Sequence, residues 1–221
     1  MKKLSEEWSQ IQIATSISGV MYDEFAPTSN ALLFPKKIEG DFDGLTAHLI
    51  EAHEVSDTEV RSLDVFDLDC VARHTELPED IKKAAENLHD VITQLARGKG
   101  ADISRLLLHG SHYTSGDENW HIDGYPGKRR VGIRVSGPET EVANVQDVYK
   151  INVNDRGDSD VSENPRIVTY GLCTVWANKP GVETFFEGLF GTRKNTIDAV
   201  THRKGHENGQ AGMIFTTNLD F

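Results

Sequence analysis

After Gly100 the chain changes texture, and this limits its fold more than any other feature of the 221 residues. The runs "ISRLLLHGSHY", "RRVGIRVSG", "VYKINVN", "RIVTYGLCTVWAN", "TIDAVTHR" and "GMIFTTNLDF" are short and rich in β-formers. Gly, Pro, Asn and Asp separate them. Such a series predicts many short strands joined by turns, as in a sandwich, a jelly roll or a barrel. The last run has the clearest period of two. Met213, Phe215, Thr217, Leu219 and Phe221 share one face, and Ile214, Thr216, Asn218 and Asp220 share the other. In "RVGIRVS", Val131, Ile133 and Val135 share a face, and Gly132, Arg134 and Ser136 share the opposite one. The polar stretch 154–165, "NDRGDSDVSENP", has no core pattern and reads as a long solvated loop.

Residues 1–100 read as helical or irregular. The clearest element is "LPEDIKKAAENLHDVITQLARGKG". Pro78 sits at its start, and acids fill the first turn. Ile81, Ala84, Ala85, Leu88, Val91, Ile92 and Leu95 recur at helical spacing, and Gly98 ends it. "FDGLTAHLIEAHEV" is a weaker helix, and "TEVRSLDVFDLDC" reads as a strand. The expected class is α+β, mainly β. Residues 1–100 form a helical or irregular cap region, residues 101–221 form the β-rich core, and the two make one compact unit.

The formal charge of −12 repels phosphate backbones, and "GKRR" at 127–130 is too short to reverse that, so nucleic acid is excluded as the default partner. No apolar run approaches the ~20 residues that cross a membrane. No apolar segment follows the lysines of "MKKLSEEW", which therefore does not read as a secretory leader. The cysteines Cys70 and Cys173 form no Cys-x-x-Cys pair; they read as two buried thiols in a reducing cytoplasm. Oligomeric state is not legible.

The chemistry concentrates in "ENWHIDGYPGKRRVGIRVSGPET". His121 and Asp123 stand at i and i+2, so a strand turns an imidazole and a carboxylate to one face. One more histidine from a distant strand completes a facial triad of two histidines and one carboxylate, which leaves open positions on Fe(II). His202 and His206 are the candidates. A ligand needs a rigid element behind it. His202 ends an apolar run while His206 sits in "RKGHENGQ", so His202 is preferred. His109, with Ser111 and Tyr113 on one strand face, stands in reserve.

His-x-Asp, then a β-rich stretch, then a late His resembles the Fe(II)/2-oxoglutarate-dependent oxygenase superfamily. "WHIDG", "RRVGIRVSGPET" and "VTHR" are also similar to a family of uncharacterised bacterial proteins with His-x-Asp, Arg-Gly-Pro-x-Thr and His-Arg. The superfamily resemblance implies a double-stranded β-helix, a jelly roll with N-terminal helices packed outside. It implies Fe(II) on His121, Asp123 and His202, 2-oxoglutarate as co-substrate, and hydroxylation of a small-molecule or peptide substrate. Many members carry an Arg or Lys about ten residues after the distal His, where this chain has "NGQAGM", and some branches place it instead on the strand after His-x-Asp. Arg134 is the expected anchor for the far carboxylate, with Arg203 its rival and Tyr113 lining the pocket. The alternatives are a cupin-like jelly-roll metalloprotein without oxygenase activity and a non-catalytic binding domain.

Overall fold

The computed structural model describes residues 11–27, 29–113, 119–121, 128–143, 148–151, 159–179, 182–188, 191–197, 202–204 and 209–220. At 103, 149–151, 159–160, 182–188, 191–197, 202 and 204 it describes the backbone alone. In chain order the first half runs β1 (Ile11–Ile13), α1 (Ile17–Tyr22), β2 (Ala31–Phe34), α2 (Phe42–Ala52), β3 (Val60–Leu63), α3 (Val65–Ala72) and α4 (Glu79–Ala96). The second half is β throughout. It runs β4 (Asp102–His109), β5 (Lys128–Ser136), β6 (Thr140–Ala143), β7 (Val148–Ile151), β8 (Ser159–Val161), β9 (Ile167–Tyr170), β10 (Val175–Asn178), β11 (Val182–Gly188), β12 (Gly191–Ile197), β13 (His202–Lys204) and β14 (Gly212–Asp220).

The class is α+β and mainly sheet. A seven-stranded sheet has the order β1-β2-β10-β5-β14-β4-β3, and a three-stranded sheet the order β13-β6-β9. Two hairpins, β7–β8 and β11–β12, stand beside them. No closed barrel forms among the described residues. The large sheet is antiparallel except where β1 pairs with β2.

The helices cover one face of that sheet, for the reason the period of two gives. Val131, Ile133 and Val135 of β5 and Met213, Phe215 and Leu219 of β14 join one apolar core with Leu45, Leu49, Leu68 and the inner stripe of α4. Phe221 lies outside the described residues. Helix α4 follows its sequence signals: Pro78 precedes it, Glu79 and Asp80 fill its first turn, and Ala84, Ala85, Leu88, Val91, Ile92 and Leu95 are buried. Leu88 has no exposed surface. Leu88→Ala is expected to lower unfolding stability by about 2–5 kcal/mol in a urea titration, and a loss under ~1 kcal/mol would show that α4 is not a core element.

The other face of the large sheet meets the small sheet. Val142 of β6 and Tyr170 of β9 pack on Ala31, Leu33 and Trp176. The Tyr170 ring stacks on Trp176 at 5.3 Å, and its hydroxyl donates to Asn178 Oδ1 at 2.8 Å. This hydrogen bond crosses from one sheet to the other. The chain passes between sheets at "SGPET", where Gly137 takes a φ of 81° that a side chain would strain, and Pro138 follows.

Several expectations are corrected. Residues 1–100 also supply three strands of the large sheet, each only three or four residues long. "TEVRSLDVFDLDC" divides into β3 and α3, because Asp64 caps the helix in a capping box: its side chain accepts from the Asp67 N–H, and the Asp67 side chain accepts from the Asp64 N–H. Residues 159–161 of the expected loop pair with β7 as β8; 154–158 lie outside the described residues. Ser136 does not share the face of Arg134. A register shift between Met213 and Ile214 turns it toward α2, where its hydroxyl meets Thr46 Oγ1 at 2.5 Å.

Of the two thiols, Cys173 is buried and Cys70 is exposed, against the expectation that both are buried. Burial holds the Cys173 thiol protonated, with a pKa raised to about 11. At pH 8 a thiol-reactive disulfide reagent is expected to label Cys70 rapidly and Cys173 only on unfolding. Two equally fast equivalents in the native protein would contradict the burial of Cys173.

Candidate functional site

Alternation along β5 separates groups that face the helices from groups that face the small sheet. Arg129 points to the helix side. Its Nη1 donates to Val20 O at 2.8 Å and its Nη2 to Asp23 O at 2.6 Å, with the guanidinium 4.7 Å from the centre of the Phe25 ring. It therefore fastens the end of α1 to the sheet. Arg130, Gly132 and Arg134 take the opposite face, toward the small sheet. Gly132 is required there because a Cβ would stand 2.6 Å from Cζ2 of Trp176.

The inner face of the large sheet is divided in character. On β2 and β10 it is apolar, with Ala31, Leu33 and Trp176. On β5, β14 and β4 it is polar and basic. Arg134 stands opposite Ile214; Gly132 is opposite Thr216, which is opposite Arg105; Arg130 is opposite Asn218. Arg134 is only 4 % exposed. At the open end Lys128 pairs with Asp220 at 2.8 Å and with Asp102 at 3.4 Å. The hydrogen bond to Asp220 raises the Lys128 pKa, and the same bond holds the Asp220 carboxyl below its usual range.

His121 sits in an isolated β-bridge, half-buried, with Nδ1 2.8 Å from Asn119 O. A carbonyl can only accept, so Nδ1 carries the proton and Nε2 holds the lone pair of the neutral ring. Metal-ligating histidines are oriented by this arrangement. Next to it, the Trp120 ring lies under the Arg203 guanidinium at 4.3 Å, and Arg203 Nε donates to Glu141 Oε2 at 2.6 Å. The contact joins the segment holding His121 to the one holding His202. On β13, His202 stands opposite Val142, Arg203 opposite Glu141 and Lys204 opposite Thr140.

Of the residues expected at the site, Asp123 and His206 and the His202 side chain lie outside the described residues. Among the described residues no three His, Cys, Asp or Glu side chains form a group able to hold a metal ion. Tyr113 stands against His109 with ring centres 5.0 Å apart, and His109 is buried at the end of β4. A cavity of about 900 Å³ opens beside α2, where Asp43, Glu139 and the Glu141 that holds Arg203 make it acidic; neither His121 nor Arg134 lines it. No helix among the described residues is long and apolar enough to cross a membrane.

Sequence reasoning missed the role of Trp120 under Arg203 and the polar row through Arg130. Both depend on strand pairing, which local pattern does not encode. Compared with protein-family models and with curated proteins, the chain matches none.

Proposed function

We propose that this chain is a non-haem Fe(II), 2-oxoglutarate-dependent oxygenase on a double-stranded β-helix, hydroxylating a small-molecule or peptide substrate in the cytoplasm. The observation that carries the reading is the contact of Trp120 with Arg203, because it brings together the two chain segments that hold the expected imidazoles. The path of the chain supports the jelly roll. From β4 onward it passes through β4, β5, β10 and β14 in the large sheet and through β6, β9 and β13 in the small one, crossing repeatedly between the two.

In this reading His121 through Nε2, Asp123 and His202 hold the metal, a donor set of two imidazoles and a carboxylate that suits Fe(II). Ferrous iron so held, with 2-oxoglutarate and dioxygen, supplies the oxidising chemistry that hydroxylates an unactivated C–H bond. The protein's part is orientation and exclusion of water. The Asn119 carbonyl fixes the His121 ring. Arg134, buried on the inner face, offers a planar fork to the far carboxylate of 2-oxoglutarate. Arg203 is engaged by Glu141 and Trp120, so we assign it to fastening β13 rather than to the co-substrate. The stacked Tyr170 and Trp176 close the apolar side against water.

The test is succinate release from 2-oxoglutarate in the presence of iron and ascorbate. The reading expects release even without a primary substrate, by uncoupled turnover. Iron bound without succinate would favour the cupin-like metalloprotein, a reading that the absence of any cation from 209–213 also supports. Neither iron nor succinate would leave a non-catalytic binding domain.

A further inference from the structure

We infer that the open end of the space between the sheets binds the α-carboxylate and α-ammonium of a free amino acid. As the substrate class of the oxygenase, the inference rests on the reading above. Four side chains stand in register across four strands: Asn178 on β10, Arg130 on β5, Asn218 on β14 and Asp102 on β4. Neighbouring strands are about 4.8 Å apart, so three adjacent members of the row span roughly 10 Å, the scale of a small metabolite.

The chemistry changes sign along this row. Arg130 supplies a cation, its Nη2 donating to Thr216 Oγ1 at 3.3 Å. Asp102 supplies a carboxylate that accepts from Asn218 Nδ2 at 3.4 Å and pairs with Lys128 at 3.4 Å. Between these charges lies the buried amide of Asn218, 0 % exposed, and on the far side of Arg130 lies that of Asn178, 4 % exposed. Neither Asn178 Nδ2 nor Asn218 Oδ1 has a hydrogen-bond partner among the described residues, and Trp176 Nε1, two residues before Asn178, has none there either. Tyr170 fixes the Asn178 amide by donating to its Oδ1, which leaves Nδ2 as the group presented.

Buried polar groups in folded proteins are nearly always satisfied, so these atoms specify a ligand. An anionic acceptor belongs beside Arg130 and Asn178 Nδ2, and a donor belongs beside Asn218 Oδ1 and the Asp102 carboxylate. A carboxylate and an ammonium on one carbon supply both. Arg134 stands four residues deeper on β5, opposite Ile214 rather than Asn218, so the row leaves it to the co-substrate.

The experiment uses the full chain without iron, melted in the presence of each proteinogenic L-amino acid in turn, followed by calorimetric titration of the best one. At least one amino acid is expected to raise the melting temperature. Its carboxamide and its N-acetyl derivative are expected to bind at least about 10-fold more weakly, and its α-hydroxy analogue likewise. Arg130→Met and Asn178→Leu are each expected to weaken binding by about 10- to 100-fold. The ligand comparisons need only the wild type, so a misfolded variant leaves the inference open to test. No shift with any amino acid, or equal binding of the carboxamide or N-acetyl form, overturns it. If succinate release survives that outcome, the oxygenase stands with another substrate class; if release also fails, the oxygenase reading falls with it.

Discussion

Asp123→Ala is expected to lose iron and keep its fold. A facial triad has three protein ligands and a single negative charge among them. Removing the carboxylate leaves a dication on two neutral imidazoles, so both a bond and the charge balance are lost. Outer partners of a metal ligand are worth 10- to 100-fold in affinity, and a direct ligand should cost more than about 100-fold. Metal content should fall to background. The fold should persist because stability comes from the core between the helices and the large sheet, built on Leu45, Leu88, Ile133 and Phe215, among others. His121→Ala and His202→Ala should behave alike, and His206→Ala should retain iron. Full iron occupancy in a folded Asp123→Ala protein would sink the triad, whereas retention by His202→Ala with loss by His206→Ala would move the third ligand.

Arg134→Met is expected to separate co-substrate binding from metal binding. Methionine approximates the length of the arginine stem and removes the guanidinium. A charge-assisted bidentate pair in a site this buried is worth roughly 2–4 kcal/mol, so 2-oxoglutarate should bind about 30- to 1000-fold more weakly. Iron should bind as in the wild type. Arg203→Met is the control. It should leave 2-oxoglutarate affinity nearly intact, because that guanidinium is held by Glu141 and Trp120. Unchanged affinity in a folded, iron-loaded Arg134→Met protein would exclude Arg134 as the anchor.

The parts of the fold that were legible are those whose signals are local and long. Helix α4 is framed by Pro78 and Gly98, and six of its buried residues repeat at helical spacing. The nine residues of β14 alternate cleanly enough to identify the apolar face that packs under the helices. Strands β1 and β2 escaped because three or four residues are too few to display a period. Val65, Phe66, Asp67 and Leu68 imitate a strand until the Asp64 capping box is recognised. Ser136 was misassigned because a bulge changes parity without any mark in the local sequence.

The candidate site divides in the same way. The inward face of Arg134 was legible because alternation within one segment is a local property. The row Asn178, Arg130, Asn218 and Asp102 was not, because its members come from four strands and meet only through register. The Trp120–Arg203 contact was hidden for the same reason.

The most direct measurement is an anaerobic crystal structure of the full chain grown with Fe(II). The account predicts one ion coordinated by His121, Asp123 and His202 at roughly 2.0–2.2 Å, with Nε2 as the His121 ligand atom. A well-ordered structure with the His202 ring more than ~10 Å from the Asp123 carboxylate would contradict it.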